Sequence, residues 1–127
     1  MNESKLITWP EFLELKKCRD EFSTHTVVTG SMEPIIKIGD RIIVDLKNKK
    51  FKVHDIIVFW MNGILICHTL IHINQIISDQ QQIVYLTAPY YKKGVDLPIK
   101  EAQILGIVIS HRLSWWSKLK LSWLHRN

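Results

Sequence analysis

Between residues 24 and 110 the chain alternates apolar runs with short polar breaks: THTVVTG, RIIVDL, VHDIIVFW, GILICHTLIHI, QIVYLT and QILGIVIS. These runs are rich in β-branched and aromatic side chains, which suit a pleated, half-buried surface, and turn residues separate them. Many short strands punctuated this way predict a mainly β domain with a closed or coiled sheet; an ordinary β-sandwich is compatible with the same pattern. Asn62-Gly63 divides the longest apolar stretch, IIVFWMNGILIC. That dipeptide is a tight-hairpin signal, so the stretch reads as two paired strands and falls short of a membrane span.

Helical patterns flank the strands. Thr8-Trp9-Pro10-Glu11 has the form of a helix start, with Thr8 as cap, Pro10 in the first turn and Glu11 closing a capping box. The predicted helix covers residues 9–21 and sets Phe12, Leu15 and Phe22 near one face. At the other end a basic, Trp-rich amphipathic helix is predicted over residues 112–126. Trp115, Leu119 and Trp123 follow at four-residue spacing with Trp116 beside them, among Arg112, Lys118, Lys120 and Arg126 and no acidic residue. Two readings of this tail stand: indole and cations at a lipid headgroup layer, or a terminal helix docked on its own domain. Lys120, close to the apolar stripe, weakens the first.

The chain of 127 residues is the size of one domain, with the core expected over residues 25–110. Two cysteines, Cys18 and Cys67, give no disulfide framework and read as reduced thiols. The N-terminus shows no export signal, so a cytoplasmic location is expected, with peripheral contact at a membrane through the tail. The net charge is +5, with Lys47, Lys49, Lys50 and Lys52 clustered around one loop.

Candidate chemistry centres on Thr29-Gly30-Ser31-Met32-Glu33-Pro34, followed by IIKIGD. Taken alone, such a segment is more often a plain strand-to-turn junction than a nucleophile site. Yet Ser31-Met32-Glu33-Pro34, Ile35-Ile36 and Gly39-Asp40 together resemble the nucleophile box of type I signal peptidases and their LexA-like relatives. VHDIIVFW resembles that family's second box, ILICHTLIHI the strand carrying the general base, and VDLPIKEAQILGIV the closing segment. The likeness spans about residues 25 to 109. It implies a signal peptidase/LexA-like fold of strongly coiled β-sheet and a serine endopeptidase activity, here without the family's usual transmembrane anchor. The few residues before the nucleophile leave no room for the DNA-binding module of LexA-like regulators. Nucleic acid is therefore not an expected partner, and the positive charge is assigned to lipid or peptide.

A serine hydroxyl needs a proton acceptor. The family's common lysine base has no counterpart, because no lysine lies between Lys52 and Lys92. His68 stands where the histidine-base branch of the family has its base. Strand alternation would put Ile64, Ile66, His68, Leu70 and His72 on one face, in apolar surroundings that favour neutral imidazole. A core histidine is the plainer alternative; His72 is the second candidate, with His25 and His54 behind it. The resemblance gives Asp96 as the residue orienting the base, against the reading of a solvated loop carboxylate, and makes Asp55 structural and Asp40 part of a turn. It gives the Ser31 backbone N–H and Thr29 as oxyanion donors. It sets substrate against residues 25 to 29 and 64 to 67, with Val27, Val28, Met32, Ile66 and Cys67 as contacts.

No metal or other cofactor is expected. Residues four apart on a strand, such as His68 and His72, lie about 13 Å apart, beyond the roughly 4 Å that two ligands of one zinc span. Three departures from the family pattern bear on the site: Thr69 follows His68 where arginine is usual, Thr87-Ala88-Pro89 stands where Gly-Asp is expected, and His54 replaces a glycine. The sequence thus leads to a Ser31–His68 endopeptidase that processes a leader or precursor peptide, with membrane or exporter contact through residues 113–127. The alternatives are a peptidase-like module that grips a leader peptide without cutting it, and a membrane-surface adaptor driven by the tail.

Overall fold

The structure, a computed structural model, describes residues 6–76, 82–90, 96–111, 114 and 117–119. A short helix, α1 (Trp9–Lys16), precedes strands β1 (Phe22–Thr26), β2 (Arg41–Asp45), β3 (Ile56–Met61), β4 (Ile64–Ile76), β5 (Gln82–Ala88), β6 (Ile99–Lys100) and β7 (Ile104–Val108). They form one open, antiparallel seven-stranded sheet in the order β1-β2-β7-β3-β4-β5-β6. The chain is mainly β, as the punctuation predicts. No helix among the described residues is long and apolar enough to cross a membrane.

The hairpin at Asn62-Gly63 forms as predicted, with both residues at positive φ (52° and 88°) and Met61 opposite Ile64. The Thr8–Glu11 capping box forms as well. The helix is shorter than expected: it stops at Lys16, well before residue 21. Past Lys16 the chain is tied to the end of β2. Lys47 Nζ donates to the Cys18 carbonyl at 2.9 Å and the Leu46 N–H to the Glu21 carbonyl at 2.8 Å. Phe22 therefore opens β1 opposite Asp45 and is 44% exposed instead of lying on the helix face. Of the tail, only Ser114 and residues 117–119 are described; Ser117 is buried and accepts a hydrogen bond from the Tyr90 hydroxyl. Trp115, Trp116, Trp123 and the rest of the predicted helix lie outside the described residues.

β3 reads IIVF without polar interruption because both its faces are covered. Ile56 and Val58 join a core with α1 (Phe12), Val27, Met32 and Ile36; Ile57 and Phe59 join a second core with Phe51, Leu70, Tyr85 and Ile99. The second core forms because the sheet curls. β6 and β7 are joined only by the 3-10 turn Glu101–Gln103 although β3, β4 and β5 lie between them. A flat sheet would hold them four strand spacings apart, about 19 Å, whereas the connection spans at most about 14 Å. On the other side of the sheet β2 and β7 approach so closely that a Cβ on Gly106 would collide with the Asp45 carbonyl.

Candidate active site

His68 sits inside β4, a strand of 13 residues that changes partner partway along. Its first half pairs with β3, placing His68 opposite Ile57, while β5 joins only from Thr69 onward, opposite Ala88. A bulge between Leu70 and His72 then breaks the alternation. Leu70 and Ile71 are both buried, whereas His72 is exposed and does not share the face of His68 as strict alternation predicts.

The side chain of His68 is 13% exposed and lies edge-on to the Phe59 ring, with centroids 6.2 Å apart. Its Nδ1 is 2.5 Å from Asp96 Oδ2. With Nδ1–H donating to the carboxylate, Nε2 is left as the proton acceptor. Asp96 is not a solvated loop carboxylate: its N–H donates to the Thr87 carbonyl at 2.8 Å, and the Thr87 hydroxyl donates to Oδ2 at 2.7 Å. Burial pushes the Asp96 pKa up, but the hydrogen bond and charge of His68 and the Thr87 hydroxyl outweigh it, and the carboxyl is held below its ordinary range. The same oxygen thus takes donors from both neighbours. Nothing in the sequence singled out Thr87 for this role; its only signal was that Thr87-Ala88-Pro89 departs from the expected Gly-Asp.

Ser31 comes from the turn that follows Val28–Gly30, residues that belong to no strand. β1 ends at Thr26, and the Val27 N–H donates to the Asp40 carbonyl. Two contacts dock this turn. The Tyr90 N–H donates to the Ser31 carbonyl at 3.0 Å, and the buried Thr69 hydroxyl lies 3.7 Å from Met32 Sδ. Thr69 is therefore a packing contact between the serine turn and β4. The Ser31 and Thr29 hydroxyls share a hydrogen bond of 3.3 Å.

Val28, Thr29 and Ser31 form one wall of a cavity of about 220 Å³, and Ile64, Leu65, Ile66, Cys67 and His68 form the other. The structure thus gathers Ser31, His68, Thr29, Val28, Ile66 and Cys67 as expected, with Asp96 behind His68. Two expected contacts are corrected: Val27, just past β1, and Met32, in the turn, are 3% and 1% exposed, belong to the core and do not line the cavity. The other histidines lie elsewhere. His25 bonds Ser23 on β1, and burial lowers its pKa; His54 lines a different cavity. Asp55 and Asp40 each accept a backbone N–H in a turn, from Lys52 and Lys37. Burial pushes the Cys67 thiol up to about 12, so it carries no thiolate at neutral pH.

The β4 wall also offers backbone. Met61 and Ile64 flank a tight hairpin and exchange its hydrogen bonds, so the alternation turns the N–H and C=O groups of Leu65 and Cys67 away from β3. Among the described residues no strand pairs with this half of β4 on that side. An extended peptide entering the cavity could pair with this open edge. A scan against models of protein families finds no match to the chain, and no curated protein matches it.

Proposed function

We propose that the protein is a serine endopeptidase of signal-peptidase type that cleaves a leader or precursor peptide, with Ser31 as nucleophile and His68 as general base. The observation that carries the reading is the Nδ1 contact of His68 with Asp96, in a histidine that lines the same cavity as Ser31. Asp96 would hold the tautomer whose Nε2 accepts the Ser31 proton and stabilise the imidazolium that results. Ser31 Oγ attacks the scissile carbonyl, His68 then gives its proton to the leaving amine, and water, deprotonated by His68, hydrolyses the acyl-enzyme. The developing oxyanion takes hydrogen bonds from the Ser31 N–H and the Thr29 hydroxyl. Substrate lies extended against the open edge of β4, with a side chain in the cavity bounded by Val28, Ile66 and Cys67. The curled sheet supports a signal peptidase/LexA-like fold, and the enzyme works in the cytoplasm, held at a membrane or exporter by its basic tail.

One observation favours a second reading. The Ser31 hydroxyl bonds Thr29, with no direct hydrogen bond to His68 among the described residues. Free enzymes often hold such pairs loosely and tighten them on substrate; a module that grips a leader peptide without cutting it would need no such bond at all. Mass spectrometry of a diverse peptide mixture incubated with wild type, Ser31→Ala and His68→Ala separates the two. The peptidase reading expects cleavage by wild type that both substitutions abolish. Saturable peptide binding with no cleavage above the mutants' background would leave the binding module.

A further inference from the structure

A second cavity, of about 330 Å³, opens where the β2–β3 loop meets the end of β7 and the start of the tail, and it shares no residue with the Ser31 cavity. Lys50, Lys52, His54, His111 and Lys118 line it, against the single carboxylate of Asp55. These groups come from two separate stretches of chain, and both are held. Asp45 Oδ1 accepts the N–H groups of Lys47 and Asn48, Asn48 Oδ1 that of Lys50, and Asp55 Oδ2 that of Lys52. His54 has a φ of 80°, a conformation L residues rarely adopt, and its N–H donates to the Leu70 carbonyl at 2.7 Å. On the other side, His111 Nδ1 bonds Ser110, its Nε2 lies 3.5 Å from Asp40, and the Lys118 N–H donates to the Ser114 carbonyl. Burial first, and then the nearby Lys118 ammonium, lower the His54 pKa against the opposing pull of Asp55.

We propose that this cavity binds a phosphate group. Three ammonium groups with one carboxylate leave a surplus of positive charge suited to a dianion, and lysine ammoniums bind phosphate as point charges without a required fork geometry. The space takes a phosphate with a small organic remnant. The phosphate comes either from a small soluble molecule or from an anionic lipid headgroup. The second source connects with the tail, since Lys118 belongs both to this wall and to the segment that carries Trp115, Trp116 and Trp123. The proposal holds whether or not Ser31 is a nucleophile.

The test follows backbone amide resonances of full-length protein titrated with inorganic phosphate, and sedimentation of the protein with phosphatidylcholine vesicles containing or lacking phosphatidic acid. Wild type is compared with Lys52→Gln/Lys118→Gln and with Lys37→Gln, which alters an exposed lysine outside the cavity. Saturable shifts at His54 and His111, weakened at least about tenfold by the double substitution and unchanged by Lys37→Gln, are expected if soluble phosphate is the source. Retention by phosphatidic acid vesicles alone, lost in the double variant, supports the site with lipid as the source. Binding insensitive to the double substitution, or no saturable response to either probe, overturns the proposal. Matching amide spectra of the variants away from the cavity show that the fold is intact.

Discussion

On the β4 side of the cavity His68 is held through both backbone and side chain, by its place opposite Ile57 and by Asp96, which Thr87 grips in turn. On the facing side Ser31 occupies a turn; its carbonyl is tied to Tyr90, while its hydroxyl only shares a 3.3 Å hydrogen bond with Thr29. A strand position between paired neighbours leaves the histidine little freedom, whereas the serine hydroxyl turns about one bond. In the proposed mechanism the base is therefore organised before substrate arrives, and the nucleophile is the part that must change partner.

Removing the anchor on the ordered side should have the largest effect. Asp96→Asn is expected to lower kcat/KM about a thousandfold in peptide cleavage, because His68 loses both its tautomer control and the partner of its positive charge. A loss under about tenfold would show that the order around His68 is not used in catalysis. On the serine side, Thr29→Val should lower kcat about a hundredfold with KM little changed if the hydroxyl meets the oxyanion. A rise in kcat would instead show that Thr29 only restrains Ser31.

Thr87→Val probes the grip on Asp96 and should cost about tenfold in kcat/KM. It also carries a pH signature. The Asp96 pKa is lowered in the folded protein, so its contribution to stability is present above the unfolded value near 3.9 and is lost as pH falls through the lower folded value. Without the Thr87 donor the folded value rises toward the unfolded one. The fall in melting temperature as pH drops below the unfolded value should then be smaller in Thr87→Val than in wild type, so that the two curves converge at low pH; a constant offset or coincident curves would remove Thr87 from the account. The smallest effect is expected at Cys67. Iodoacetamide at pH 8 should label Cys18 and spare Cys67, changing cleavage by less than about twofold, since burial keeps the Cys67 thiol protonated.

Ser31, His68 and Thr29 were legible in the sequence because a linear resemblance carries residue order, and order was enough to bring them to one cavity. Asp96 came from the same resemblance, but its alternative as a loop carboxylate could be dismissed only by its contacts. Val27 and Met32 were misassigned because residues outside a strand have no fixed period that says which side chains face inward. His72 was grouped with His68 because alternation has no way to anticipate a bulge. Thr87 and Thr69 were noticed only as departures from a pattern, and their hydroxyls have meaning only beside Asp96 and Met32.

The short-range features were written in the chain. Asn62-Gly63 makes its hairpin, and Thr8 and Glu11 cap their helix, since each depends on residues within a few positions of one another. The tertiary structure decided where the sheet curls, because Glu101–Gln103 is too short to bridge a flat one. It also decided that, among the described residues, no strand pairs with the half of β4 beside Ser31, and that Asp96 meets His68. Such contacts depend on closing loops between distant residues, and local preferences do not encode where those loops close.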